Sequence, residues 1–261
     1  MAEAAHPRLA RILISNDDGI DAPGIKLLEK VARTLSDDVW VVAPEMEQSG
    51  ASHSLTTRRP IRLVQVEGRR YYVDGTPTDC VLLALKRLLR DKPPTIVLSG
   101  INGGGNIAED MTYSGTVAAA MEATLFGVPA IALSQDYVDR NAISWSSSEA
   151  YCAETVRRIV AAVEHWPKDT FFNVNFPPVA AEQVRGFAVT HQGKRVLGDN
   201  LMEGTDPRGR TFYWIGPAKP EGGITPGSDL CAMQEGKVSI TPICLNLTHG
   251  EMAERLRPVF E

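Results

Sequence analysis

Short apolar runs alternate with longer segments of helical periodicity through the first half of this chain, and no other feature narrows the choice of fold as much. "RILIS" (11–15), "DVWVVAP" (38–44), "TIVLSG" (95–100) and "VPAIALS" (128–134) are short enough for buried strands. Between them, "APGIKLLEKVARTLS" places Ile25, Leu28, Val31, Ala32 and Leu35 at helical spacing, with Pro23 suited to a helix start. "PTDCVLLALKRLLRD" places Val81, Leu82, Leu85, Leu88 and Leu89 on one face, and "SGTVAAAMEATLF" reads as a helix of small residues. "PIRLVQV" and "RRYYVDG" flank Glu67 and Gly68 and read as a hairpin. Strands buried on both faces lose the polar alternation of half-exposed ones, so these runs predict a mostly parallel sheet with helices on both sides, a three-layer α/β/α sandwich.

The second half is looser. "SSSEAYCAETVRRIVAAVEHW" predicts a long helix, and "TFFNVNFP", "RGFAVTHQG" and "KVSITPI" predict strands. Residues 194–227 are rich in glycine, proline and charge, with an aromatic group Phe212, Tyr213 and Trp214 that suits packing at an interface. The expected organisation is one domain over 1–261: a core of about 10–190 and 236–247, a projecting arm of about 191–235, and a terminal helix in 248–261.

Composition excludes several classes. A net charge of −5 argues against a general binder of nucleic-acid duplexes. "MAEAAHPRLA" lacks an apolar central stretch, and "TVAAAMEATLFGVPAIAL" is broken by Glu122, Gly127 and Pro129, so neither a secretory leader nor a membrane span is expected. Cys80, Cys152, Cys231 and Cys244 sit among apolar neighbours without C-x-x-C spacing and read as buried reduced thiols. A cytoplasmic protein is the expectation.

In open α/β sheets ligands collect beyond the carboxyl ends of the strands. Three loops leave those ends. "NDDG" supplies Asp17 and Asp18, "PEMEQSGASHS" supplies Ser49, and "INGGGNIAEDMTYSGT" supplies Asn102 and Asn106. Two adjacent carboxylates repel, and a cation between them removes the repulsion. Carboxylate, hydroxyl and amide oxygens suit Mg²⁺ or Mn²⁺. The third loop ends in "YSGT", where Ser114 can cap a helix and the amides of Gly115 and Thr116 stand at its positive end, a phosphate site. Cation and cradle together indicate phosphate chemistry. His53 reads as a partly exposed bystander and the Arg58–Arg59 and Arg69–Arg70 pairs as solvated charge; for Lys194 and Arg195, beside a glycine, reaching an anion is the lesser reading.

"NDDG-x-x-A-x-G", "QSG", "DGTP-x-DC", "SGIN-x-G-x-N" and "YSGTV-x-AAMEA" occur in this order, and in them the chain resembles the SurE family of survival-protein E nucleotidases. The resemblance is densest over 11–134 and continues through "AVTHQGKR" and "GSDLCAMQEGKVSITPI". It implies a Rossmann-like core and metal-dependent hydrolysis of nucleoside 5'- and 3'-monophosphates, with short polyphosphate as a further substrate. It assigns one divalent cation per subunit to Asp17, Asp18, Ser49 and Asn102, with Asp17 and Asp18 catalytic, and the phosphate to Asn106, Ser114, Gly115 and Thr116. It also implies a homodimer or homotetramer formed by arm exchange. The chain departs from the family at Ala108, where glycine is usual; if positive φ is needed there, the Asn106 loop sits differently. Two rival readings are a covalent aspartyl phosphatase, whose nucleophile would fall on Asn16, and a nucleotide- or metal-binding sensor without turnover.

Overall fold

A computed structural model describes residues 9–163, 165–197, 201–215, 220–221 and 224–260. His6 lies outside the described residues, as do parts of the expected arm at 198–200, 216–219 and 222–223. The N-terminal half runs β1 (Ile12–Ser15), α1 (Pro23–Arg33), β2 (Val39–Pro44), β3 (Leu63–Glu67), β4 (Arg70–Val73), α2 (Pro77–Leu83), β5 (Ile96–Gly103), α3 (Gly115–Leu125) and β6 (Ala130–Gln135). The remainder runs α4 (Ser146–Ala162), β7 (Thr170–Phe176), β8 (Phe187–Val189), β9 (Val196–Leu197), β10 (Leu201–Thr205), β11 (Thr211–Ile215), β12 (Pro220–Glu221), α5 (Asp229–Gln234), β13 (Val238–Cys244) and α6 (Gly250–Phe260).

The main sheet has the order β3-β4-β2-β1-β5-β6-β7-β13-β8. Pairing is parallel from β4 through β7, while β3 and β13 run antiparallel to their neighbours β4 and β7. The mostly parallel sheet read from the alternation is therefore present. Ile12 and Ile14 of β1 face α1 and α4, where Leu28 and Val156 are buried, and Leu13 faces α2 and α3. Each of the three is fully buried, a contribution of about 1.5–3 kcal/mol per side chain.

The two helical faces differ. α1 meets the sheet with large side chains, whereas α3 meets it with Val117, Ala119, Ala120 and Ala123 against Ala130 and Ala132 of β6. Small residues on both sides let the α3 backbone lie close to the strands. β1 sits between β2 and β5, so the chain leaves it in opposite directions across the sheet. That reversal opens a crevice at the strand ends, and the three polar loops border it.

Several local readings are corrected. The helix expected over 77–91 is α-helical only to Leu83; Ala84–Leu88 widens into a π-turn, with Leu89 N–H donating to Ala84 O. Cys80 and Cys152 are buried as expected, but Cys231 is half-buried and Cys244, at the end of β13, is exposed; all four are unpaired. Arg70 is not solvated: its guanidinium pairs with Glu29 and also donates to Ile20 O at 3.0 Å. Phe212, Tyr213 and Trp214 lie on the β10–β11 hairpin, exposed in this chain. α5, within the stretch read as arm, buries Asp229, Ala232 and Met233.

Candidate active site

The first turn after β1 is built by Asn16, whose side-chain amide donates to Gly19 O at 2.8 Å. Its Oδ1 is buried without a partner among the described residues. Asp17 follows, 4% exposed. Its Oδ1 accepts the Thr116 hydroxyl. Burial pushes the Asp17 carboxyl up from the ordinary range, opposed by the Thr116 hydroxyl and by the amides of Thr116 and Gly115. The amides expected to stand free for a phosphate thus lie first against Asp17. The approach is close: a Cβ on Gly115 would stand 2.7 Å from Asp17 Cβ and 3.0 Å from Oδ2.

Asp18 is half-buried, and its Oδ2 accepts the Gly103 amide at 3.2 Å. Burial, then the charge of Asp17, then that of Glu47 push its carboxyl up to about 6; the Gly103 amide and Arg140 act against this. Both acids are therefore held where a positive charge would relieve them.

The loop after β2 is tied to this turn by Gln48 N–H, which donates to Asp17 O at 2.8 Å. Ser49 is exposed, and its hydroxyl donates to Glu47 Oε1 at 2.7 Å. The Arg140 guanidinium, from the loop after β6, lies 3.9 Å from the same oxygen. The structure thus holds Ser49 next to the acids through its loop rather than by a direct bond.

β5 carries one extra residue against β6, since Ser99 pairs with Ala132 but Asn102 with Ser134. Such a bulge re-aims the side chains beyond it. Gly100 makes it possible: φ is +134°, and a Cβ there would fall 2.2 Å from Leu133 O. Past the bulge, Asn102 Nδ2 donates to Gly104 O at 2.8 Å, which turns Oδ1 into the available ligand atom. Ser114 caps α3, its Oγ accepting Val117 N–H at 3.1 Å, so its own proton remains to donate.

Asn106 is buried in a polar frame that was not read from the sequence. Its amide N–H donates to Asn175 Oδ1 and its Nδ2 to Ser134 Oγ, both at 2.8 Å, while Asn106 O accepts from Asn173 Nδ2 at 2.8 Å and Asn175 Nδ2 at 3.2 Å. The signal was present in "TFFNVNF", where two asparagines two apart share one face of an otherwise apolar strand. Ala108 does adopt positive φ, +53°. Its N–H donates to Asp229 Oδ2 at 2.9 Å and its carbonyl accepts Gln192 Nε2 at 3.1 Å, so the loop keeps the glycine-like geometry without the glycine.

Two charged or titratable side chains near the site have partners. Arg195 is largely buried against Asp110, with its amide held by Glu109 at 2.9 Å, so it is engaged rather than free for an anion. His53 is partly exposed, as expected, and has a partner the sequence did not show: its Nε2 lies 2.9 Å from Glu122 Oε2. Among the described residues no three His, Cys, Asp or Glu side chains gather round one point. An ion here would rest on two carboxylates plus the neutral oxygens of Asn102 and Ser49. That donor set fits a hard divalent cation that keeps some of its waters.

Comparison with known proteins adds independent findings. A family profile described as "Survival protein SurE" matches residues 12–199. A 5'-nucleotidase SurE of Paramagnetospirillum magneticum is 54% identical over 256 residues, covering 98% of both chains. Another, from Rhodospirillum rubrum, is 46% identical over 96% of both. The crystal structure of a SurE protein from Aquifex aeolicus superposes with a TM-score of 0.84 at 38% identity, covering 96% of this chain and 100% of that one.

Proposed function

The chain belongs to the survival protein SurE family, and from that premise we propose that it is a 5'-nucleotidase, a phosphomonoesterase releasing inorganic phosphate from nucleoside 5'-monophosphates. The observation that carries the reading is the Asp17–Asp18 pair at the β1 switch point. Thr116 holds one oxygen of Asp17 and Gly103 one of Asp18, and both carboxyls are raised by burial.

Asp17, Asp18, Asn102 and Ser49 would hold one Mg²⁺ or Mn²⁺. When bound, such an ion polarises a phosphoryl oxygen and makes a bound water more acidic. Asp18 Oδ1, without a donor among the described residues, orients the attacking water by accepting its proton in a hydrogen bond. On the phosphate side, the Ser114 hydroxyl and the Asn106 side chain would meet the oxygens on which charge grows, beside the Gly115 and Thr116 amides that lie against Asp17 in this structure. The N-terminal end of α3 serves both partners, fixing Asp17 and favouring an anion. These groups address phosphate rather than base, which extends the reading to 3'-monophosphates and short polyphosphate.

Exposed Phe212, Tyr213, Trp214 and Ile215 support a homodimer or homotetramer in which the hairpin docks on another copy. No helix of the described residues is long and apolar enough to cross a membrane. The four unpaired cysteines support a cytoplasmic setting. The test is phosphate release from AMP or GMP with Mn²⁺, expected to stop with EDTA and in Asp18→Asn or Asn102→Ala. Full turnover in EDTA defeats the proposal.

A further inference from the structure

Glu122 stands in the interior of α3 among alanines, with its side chain only 6% exposed. A carboxylate so placed needs a donor, because burial of an uncompensated charge is strongly unfavourable. The donor comes from 69 residues earlier in the chain: His53 Nε2, at 2.9 Å. His53 lies four residues beyond Ser49 in the loop that follows β2.

That loop is tied at two ends and free between them. At its near end Gln48 N–H donates to Asp17 O at 2.8 Å. At its far end Ser52, with φ +53°, donates its amide to Tyr113 O at 3.1 Å and its hydroxyl to Thr112 O at 2.8 Å, and the Ser54 carbonyl accepts the Thr76 hydroxyl at 2.7 Å. The apex between them carries Ser49. Gly50, at φ +76°, has open space where a Cβ would be, and Ala51 is tied only locally, its N–H donating to Gln48 O. The anchors on either side therefore govern where the Ser49 hydroxyl can be.

We propose that His53 and Glu122 form a positioning pair that clamps the Ser49 loop onto α3, the helix whose first turn also fixes Asp17, so that both sides of the cation site are referred to one rigid element. The inference rests on the proposed function, since it gives the clamp its purpose. His53 touches no ligand in this scheme; it acts through Ser49. A purely structural role predicts lost stability alone, whereas a positioning role predicts weaker cation binding in a folded protein.

The experiment is titration of the purified protein with Mn²⁺, followed calorimetrically, beside AMP kinetics at saturating Mn²⁺. His53→Ala is expected to raise the Mn²⁺ dissociation constant about tenfold, as loss of a residue supporting a ligand does, with kcat at saturating Mn²⁺ close to wild type. His53→Asn, which keeps a donor, should recover most of the affinity. Glu122→Ala carries the same expectation as His53→Ala and serves if that variant folds poorly. Wild-type Mn²⁺ affinity in His53→Ala, or in Glu122→Ala if that is the variant that folds, overturns the clamp and leaves the nucleotidase reading standing. Failure of the unmodified protein to bind Mn²⁺ overturns both.

Discussion

The backbone N–H of Ala108 donates to Asp229 Oδ2 at 2.9 Å, joining the loop after β5 to the first residue of α5 across 121 positions of sequence. The same carboxylate accepts the amides of Gly193 at 2.8 Å and Leu230 at 2.7 Å through Oδ1. One buried side chain thus fastens three segments, and it holds Ala108 in a left-handed conformation that alanine adopts at a cost of about 1–2 kcal/mol.

Two substitutions separate the conformation from the anchor. Ala108→Gly removes the steric penalty and is expected to raise unfolding stability by up to about 1 kcal/mol, part of the gain being offset by the freer unfolded chain. Asp229→Ala strands three amides and should lower stability by on the order of 3 kcal/mol. Urea unfolding of both variants measures the pair, and a less stable Ala108→Gly would show that the methyl group is wanted there.

Gly115 is the tightest point of the site. A methyl group would press on Asp17 Cβ and on Pro77 Cγ, 3.1 Å away. Gly115→Ala is expected to displace Asp17 and lower kcat/KM by on the order of 100-fold, with a loss of about 1–3 kcal/mol in stability. Wild-type turnover of AMP by this variant would mean that Asp17 need not stay where it is.

Thr116→Val keeps the shape and removes the hydroxyl that donates to Asp17 Oδ1. Without that donor the Asp17 carboxyl should rise further and the cation bind about 10-fold more weakly or worse. Mn²⁺ titration reads the change directly.

Asp18 makes the cation's effect on stability depend on pH. Its carboxyl titrates at about 6 in the folded protein without a cation, against 3.8 in an unconstrained chain. The folded state therefore binds the proton more tightly. The resulting stabilisation is full below the unfolded value and is lost as pH rises through about 6, leaving the cation-free protein less stable by on the order of 2–3 kcal/mol above it. The rise in Tm on adding Mn²⁺ should accordingly be larger at pH 7.5 than at pH 5, and Asp18→Asn should remove most of that difference. Equal shifts at both pH values would count against Asp18 as a ligand.

What could be read from the chain alone follows from how far apart the interacting residues are. β1, β2, β5 and β6 are legible because strands covered on both faces are continuous apolar runs; Asp17 and Asp18 stand out as polar residues just beyond β1, and Asn102 as one at the polar end of β5. The sequence did not disclose partners chosen by register or closure. Asn173 and Asn175 reach Asn106 only because Ser134 pairs with Asn175 across β6 and β7. Glu122 reads in sequence as an interruption of an apolar stretch, and only the fold brings His53 beside it; Asp229 lies unmarked within the stretch expected to be arm. The free phosphate cradle of Gly115 and Thr116 was read from the cap alone, without the neighbouring strand that brings Asp17 under it.

The alanine-lined underside of α3 has a consequence for how this protein tolerates genetic change. Ala119 and Ala120 pack their side chains in the core beneath α3, and they set the height at which the helix rides over the strands. A valine at either position would lift the helix and carry its opening turn away from Asp17. Such an allele would abolish turnover from a distance, and a survey of inactive variants would score it as a lesion of the reaction centre although every reacting group is intact.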